Sequence, residues 1–385
     1  MVVSSKETDR TNGSIFSLFG KRDHRLAASN CTSAFFRLTE PESSLFGRSN
    51  NVSKRTTPGG AVKVALGAGA LLAAAWAATR VVNHVSTGKL DSYTNDPFRN
   101  YDSALARFAQ VQAGEEKADQ AINPVCHSKL LAHGHKVERA IVLMHGMTNC
   151  PRQFVELAPL FFERGYNVLI PRMPHSGLAN LDTDALKYVT ATELRDCSNT
   201  FVDIARGLGD HVTYVGISVG GLMGAWVAQY RADVNKAVMI APAFTFSRGL
   251  DVGLSRFAMH LFLLLPNIMT RRFRPFKGGP PHNYHGFATR GLGQMMRLGF
   301  YVYDAARTIK PAAQSVLVIT NAADPAVENS ITRRLVGRWR ADGYDHVETY
   351  EFDAKYQLIH DVIDPTQPHQ QTALVYPVLL DLITR

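Results

Sequence analysis

Cysteine is scarce in this 385-residue chain: Cys31, Cys126, Cys150 and Cys197 are all it has, too few for a fold built on disulfides. Also missing are zinc-type Cys/His spacing, a P-loop and a helix-turn-helix signature, so no motif points to a metal, a nucleotide phosphate or a nucleic acid. No internal repeat is visible, which excludes a repeat array. The net charge of +9 invites a nucleic-acid reading, but about half of the excess lies before residue 64, where ten Lys or Arg stand against five Asp or Glu. The remaining body is only mildly basic, and nucleic acid is not an expected partner. What is present is a hydrophobic content of 45%, enough to bury a large core in one large domain with extras, or in two domains.

Only one uncharged apolar run stands out, residues 64–79, bounded by Lys63 and Arg80. It is shorter than the span of about 20 residues that a membrane helix needs, and it extends to Val82 only if Arg80 snorkels. Three readings stay open: a membrane anchor over 64–82, a signal segment with Ala75-Trp76-Ala77 as a small-x-small cleavage site, and a buried Ala-rich helix. In both membrane readings the basic N-terminal side stays in the cytoplasm and the rest of the chain is exported. Residues 1–63, rich in Ser, Thr, Asn and Arg, are expected to be disordered, and 83–124 to form a linker with a helical lead-in. If the domain is exported, Cys126 and Cys150 are placed to pair, because one precedes the first core strand and the other closely follows it.

From about residue 139 onward, short β-branched apolar runs alternate with longer amphipathic stretches, the pattern of a parallel sheet covered by helices in an α/β fold. The strands are expected at 140–143, 167–170, 212–216, 237–240, 315–320 and 347–352. Helices are expected at 151–163, 191–208, 222–231, 330–342 and 370–382. Residues 245–314 break this rhythm with the apolar stretch 257–265, the basic cluster Arg271-Arg272-Phe273-Arg274 and Gly278-Gly279-Pro280-Pro281. That is too long for a plain connection and reads as a cap or lid. The stretch 257–265 itself fits either a cover over a site or ordinary core.

Gly216-Ile217-Ser218-Val219-Gly220 sits between a β-rich run and an Ala-rich helical stretch. A G-x-S-x-G turn in that place forces the serine into a strained conformation and exposes its hydroxyl. The motif is expected by chance in about one chain in eight of this composition, so its context must discriminate. A serine nucleophile needs a general base, and the base needs an orienting acid. Both must lie at the C-terminal edge of the sheet. Asp324 follows the strand at 315–320 and fits better than Asp353 or Glu328. Of the histidines downstream, His346 lies at the entry of the last strand and His369 at the start of the terminal helix, which leaves His360. The amides of Val219 and Met147 are the candidate oxyanion donors, and His145 reads as a structural loop histidine.

Together, His145-Gly146-Met147, Gly216-Ile217-Ser218-Val219-Gly220, Asp324 and His360 resemble the α/β-hydrolase superfamily, in its monoglyceride lipase, carboxylesterase and serine aminopeptidase-like branch. The stretch 165–177 resembles that branch's strand and following loop. The resemblance covers roughly residues 125–385 and implies a mainly parallel eight-stranded sheet flanked by helices, with a helical cap inserted before the acid-bearing strand, at about 245–314. It implies a serine hydrolase that cleaves carboxylic esters, lipid-like ones included, and needs no cofactor or metal. Iminopeptidase-like and acyltransferase chemistry, and a catalytically inactive binding protein, remain alternatives on the same fold.

Overall fold

The computed structural model describes residues 90, 92–270 and 279–385. The expectations for residues 1–63, for the apolar run 64–82 and for the basic cluster at 271–274 fall outside the described residues. Among the described residues, no helix is long and apolar enough to cross a membrane.

The chain runs through α1 (Tyr101–Glu116), β1 (Lys129–Leu131), β2 (Val137–Met144), α2 (Ala158–Phe162), β3 (Tyr166–Ile170), α3 (Ala191–Leu208), β4 (Gly209–Ile217) and α4 (Val219–Tyr230). It continues through β5 (Lys236–Ile240), α5 (Val252–Leu264), α6 (Thr289–Ala305), β6 (Ser315–Asn321), α7 (Asn329–Ala341), β7 (Val347–Phe352) and α8 (Thr372–Thr384). The seven strands form one sheet in the order β1-β3-β2-β4-β5-β6-β7. All neighbours are parallel except β1, which pairs antiparallel with β3. Among the described residues the sheet therefore has seven strands where the resemblance implies eight. Among the described residues before Lys129, the one long regular element is α1, packed on α3, and no strand is found beyond β1.

Alternate residues of the central strands serve two separate cores. Ala140, Val142 and Met144 of β2 belong to a core shared with residues of α1, α3, α4, α6 and α7. Ile141 and Leu143 face the other way, against Phe154, Phe161 and the apolar side of α8. Burial on both faces explains why these strands read as continuous apolar runs. Helix α3 begins where expected because Thr190 and Glu193 form a reciprocal capping box.

The interval read as a cap divides into two unlike helices. Residues Leu292, Met295, Met296, Leu298 and Val302 of α6 belong to the main core, so α6 is a sheet-covering helix. Helix α5 buries only Ser255 and Met259 and leaves Leu254, Phe257, Leu261 and Leu264 to solvent. Of the two helices, only α5 is left as a candidate cover, since α6 belongs to the core.

Sheet register fixes where the loops emerge. Met144 lies opposite Gly216, Ile217 opposite Ile240, and Asn321 opposite Phe352, so the segments that follow these residues leave the same edge. Strand order reverses between β2 and β4, and such a reversal opens a crevice at the C-terminal ends of the strands. His145-Gly146-Met147 and Ser218 lie on its two sides.

Candidate active site

Ser218 caps α4 with φ 57° and ψ −116°, a conformation that costs an L-residue energy and persists only where the surroundings hold it. Here the Ser218 N–H donates to the Ile240 carbonyl at 2.9 Å, while its own carbonyl accepts from Leu222 and Ala243 at 2.9 and 3.0 Å. The flanking glycines are required by close approach. A Cβ on Gly216 would lie 2.0 Å from the Gly220 carbonyl oxygen, and one on Gly220 would lie 2.2 Å from the Met144 carbonyl oxygen.

The three side chains singled out by chain order and sheet edge meet in space. His360 Nε2 lies 2.9 Å from Ser218 Oγ, and His360 Nδ1 lies 2.8 Å from Asp324 Oδ2. A carboxylate only accepts, so Nδ1 carries the proton and Nε2 is free to accept from the serine hydroxyl. Asp324 is fully enclosed; its Oδ1 accepts from the amides of Ala326 and Val327. Burial alone would raise the Asp324 pKa, but the charge and hydrogen bond of His360 and these two amides outweigh it and hold the pKa below the ordinary carboxylate value. Burial likewise favours neutral His360, yet the Asp324 carboxylate prevails and raises the imidazole pKa above its ordinary value.

The two expected oxyanion donors lie in the two turns nearest Ser218, one at the start of α4 and one after β2. Val219 is the first residue of α4, and its amide is one of the donors that a helix start leaves without an intrahelical partner. Met147 lies in the turn after β2, and a Cβ on the adjacent Gly146 would be 3.5 Å from Ser218 Cβ. Gln153, which the sequence does not single out, shapes this turn by accepting from the Gly146 amide at 2.8 Å. His145 is structural: its Nδ1 donates to the Gly146 carbonyl and its Nε2 accepts from the Met173 amide. Burial depresses its pKa to about 3, so it stays neutral.

The rival candidates are engaged elsewhere. Glu328 caps α7 and accepts from Gly249. Asp353 caps a short turn at the surface. His346 precedes β7 at the opposite edge, and His369 is an exposed turn residue before α8. Asn321 also escapes sequence reading. Its Nδ2 donates to the carbonyls of Leu358 and Ile359, tying the end of β6 to the loop that carries His360. Cys126 and Cys150 are joined, with Cα atoms 5.2 Å apart, and this bond anchors the far end of the Met147 loop.

A strained serine at a strand-to-helix turn, a histidine and a buried carboxylate, all at the C-terminal edge of a mostly parallel sheet, define the architecture of an α/β hydrolase. The model of the alpha/beta hydrolase family matches residues 141–360, more than half of the chain, and the chain belongs to that family. Among solved structures it is similar to one from a study of two metagenome-derived lipolytic enzymes, LipS and LipT. That likeness has 16% identity and a TM-score of 0.51, over 68% of this chain and 99% of that one. It is also similar to the monoacylglycerol lipase of Paleococcus ferrophilus, with 17% identity and a TM-score of 0.50, over 67% of this chain and 97% of that one. At such identity these likenesses speak for the fold. The chain matches no curated protein sequence.

Proposed function

We propose that the protein is a serine esterase that cleaves carboxylic esters through an acyl-enzyme. Ser218 Oγ attacks the ester carbonyl carbon while its proton passes to His360 Nε2. Asp324 holds the imidazole in the required tautomer and stabilises the imidazolium. The oxyanion is met by the amides of Val219 and Met147. Collapse expels the alkoxide, which leaves as the alcohol with the proton from His360. His360 then deprotonates a water, that water attacks the acyl carbon, and the carboxylic acid departs as Ser218 regains its proton. The observation that carries this reading is the single imidazole bridging Ser218 Oγ and the buried Asp324 carboxylate at 2.9 and 2.8 Å. Turnover of a short p-nitrophenyl ester by the wild-type protein and its loss in Ser218→Ala test it; equal rates would sink it.

The acyl group of the substrate is proposed to be lipid-like. Helix α5 exposes Leu254, Phe257, Leu261 and Leu264 beside Phe246, Leu265 and Ile268, a larger apolar face than solvent exposure alone favours, and the chain that follows is basic at Arg271, Arg272 and Arg274. An acyl-chain-length series checks it, with activity confined to the shortest chains as the contrary result. Export of the domain is proposed as well, supported by the Cys126–Cys150 bond, which an oxidising compartment preserves. The apolar run at 64–82 would then serve as anchor or signal.

A further inference from the structure

A second histidine–carboxylate couple lies beside the Ser218 site and takes no part in the chemistry proposed above. His282, in the segment between α5 and α6, places Nε2 2.9 Å from Asp364 Oδ2, and both side chains are buried. Asp364 is fully satisfied. The same Oδ2 accepts from Asn149 Nδ2 at 3.1 Å, and Oδ1 accepts from the amide and hydroxyl of Thr366. Burial would raise the Asp364 pKa, but the hydrogen bonds from His282, Thr366 and Asn149 outweigh it and hold it below the usual value. Asp364 is therefore an ionised acceptor, and His282 Nε2 must carry the donated proton.

Asn149 is the junction of this network. Its second amide hydrogen goes to Asp361 Oδ2 at 3.2 Å, and Asp361 directly follows His360. Its backbone amide donates to the Gly146 carbonyl, closing the turn that presents Met147. The Tyr284 amide adds a parallel tie by donating to the Thr148 carbonyl at 3.0 Å. Three segments far apart in the chain thus share one buried polar network: the Met147 turn, the His360 loop and the strap at 280–284.

We propose that His282 is a positioning residue. Through Asp364 and Asn149 it holds the oxyanion turn at Met147 and the loop of His360 in mutual register. Catalytic geometry tolerates little error, since displacements of about 1 Å cost up to roughly 100-fold in rate. A buried, fully partnered network is a stiff means of fixing two loops, and one removed donor leaves a buried carboxylate short of a partner. The effect on turnover rests on the proposed esterase reading; the effect on loop order does not.

The test uses the full chain with His282→Phe, which keeps ring bulk but has no donor, and His282→Gln, whose side-chain amide can still donate to Asp364. Hydrogen exchange is read across 146–150 and 358–367, and kcat and KM are measured for a short p-nitrophenyl ester, per folded molecule. In H282F, exchange is expected to quicken in those two segments while the central strands stay protected, with kcat reduced about 10-fold or more and KM within about twofold. H282Q is expected to restore most of both. Unchanged exchange in the two segments, uniform quickening across the sheet, or an H282F kcat equal to wild type would each overturn the proposal. If H282F does not fold, Asn149→Ala breaks the same link from its other end and is held to the same criteria. If the wild-type protein turns over no ester, the esterase reading fails, and the exchange pattern alone decides on His282.

Discussion

Ser218 and His360 are separated by 142 residues in the chain, yet the serine hydroxyl and His360 Nε2 lie 2.9 Å apart. Each residue follows a parallel strand at the same sheet edge, β4 for the serine and β7 for the histidine. Asp324, after β6, completes the line with its 2.8 Å contact to the other imidazole nitrogen. The pairing thus follows from the parallel register of β4, β5, β6 and β7, which brings the ends of these strands to one edge.

The electrostatics of this line set a pH dependence. Asp324 raises the pKa of His360, so the protonated imidazole is favoured in the fold. That stabilisation is present below the ordinary histidine pKa of about 6.5 and is lost as pH rises through the raised value. On the proposed mechanism activity has the opposite sign, because His360 must be neutral to accept the serine proton. The profile of kcat/KM is expected to rise through one ionisation with its midpoint above about 6.5. In Asp324→Asn the midpoint should move down and kcat should fall by about 10⁴-fold; a midpoint left in place would separate Asp324 from the base.

Gly216→Ala probes the close contact beneath the serine. The new Cβ would fall 2.0 Å from the Gly220 carbonyl oxygen and 2.8 Å from the Gly221 nitrogen. These are backbone atoms, which no rotamer change can move aside. A loss of about 1–3 kcal/mol or more is expected by denaturant titration, together with reduced turnover per folded molecule. Wild-type stability and activity in this variant would show that the elbow has slack.

The Cys126–Cys150 bond closes a loop with a sequence separation of 24. Replacing both residues with serine should lower unfolding free energy by about 3 kcal/mol on a chain-entropy estimate. Asn149 adjoins Cys150, so exchange should also quicken at 146–150. Free thiols at both positions in the purified protein, counted under denaturing, non-reducing conditions, would remove this prediction and the argument for export with it.

Much of this architecture can be read from residues alone, for specific reasons. Central strands such as β4 and β6 are continuous apolar runs because both faces are buried, and the elbow glycines mark a backbone crossing. Strand β1 escapes because three residues, Lys129–Leu131, carry no period. Helix α6 escapes because Gly291, Gly293 and Gly299 interrupt its pattern. Those glycines let it approach the Leu186 carbonyl, Leu263 and Leu222 closely: Cβ atoms there would come within 2.3, 3.1 and 2.6 Å. The His282, Asp364 and Asn149 network is illegible for another reason. Its members lie in three separate loops, and loops have no periodicity to expose a pairing.

The most direct test of the central claim is covalent labelling with a fluorophosphonate, followed by mass mapping of the modified peptide. The folded wild-type protein should take up one label, on Ser218. Ser218→Ala should take up none, and Asp324→Asn should label far more slowly. A folded wild-type protein that stays unlabelled, or one labelled at another serine, would contradict the assignment of Ser218 as the nucleophile.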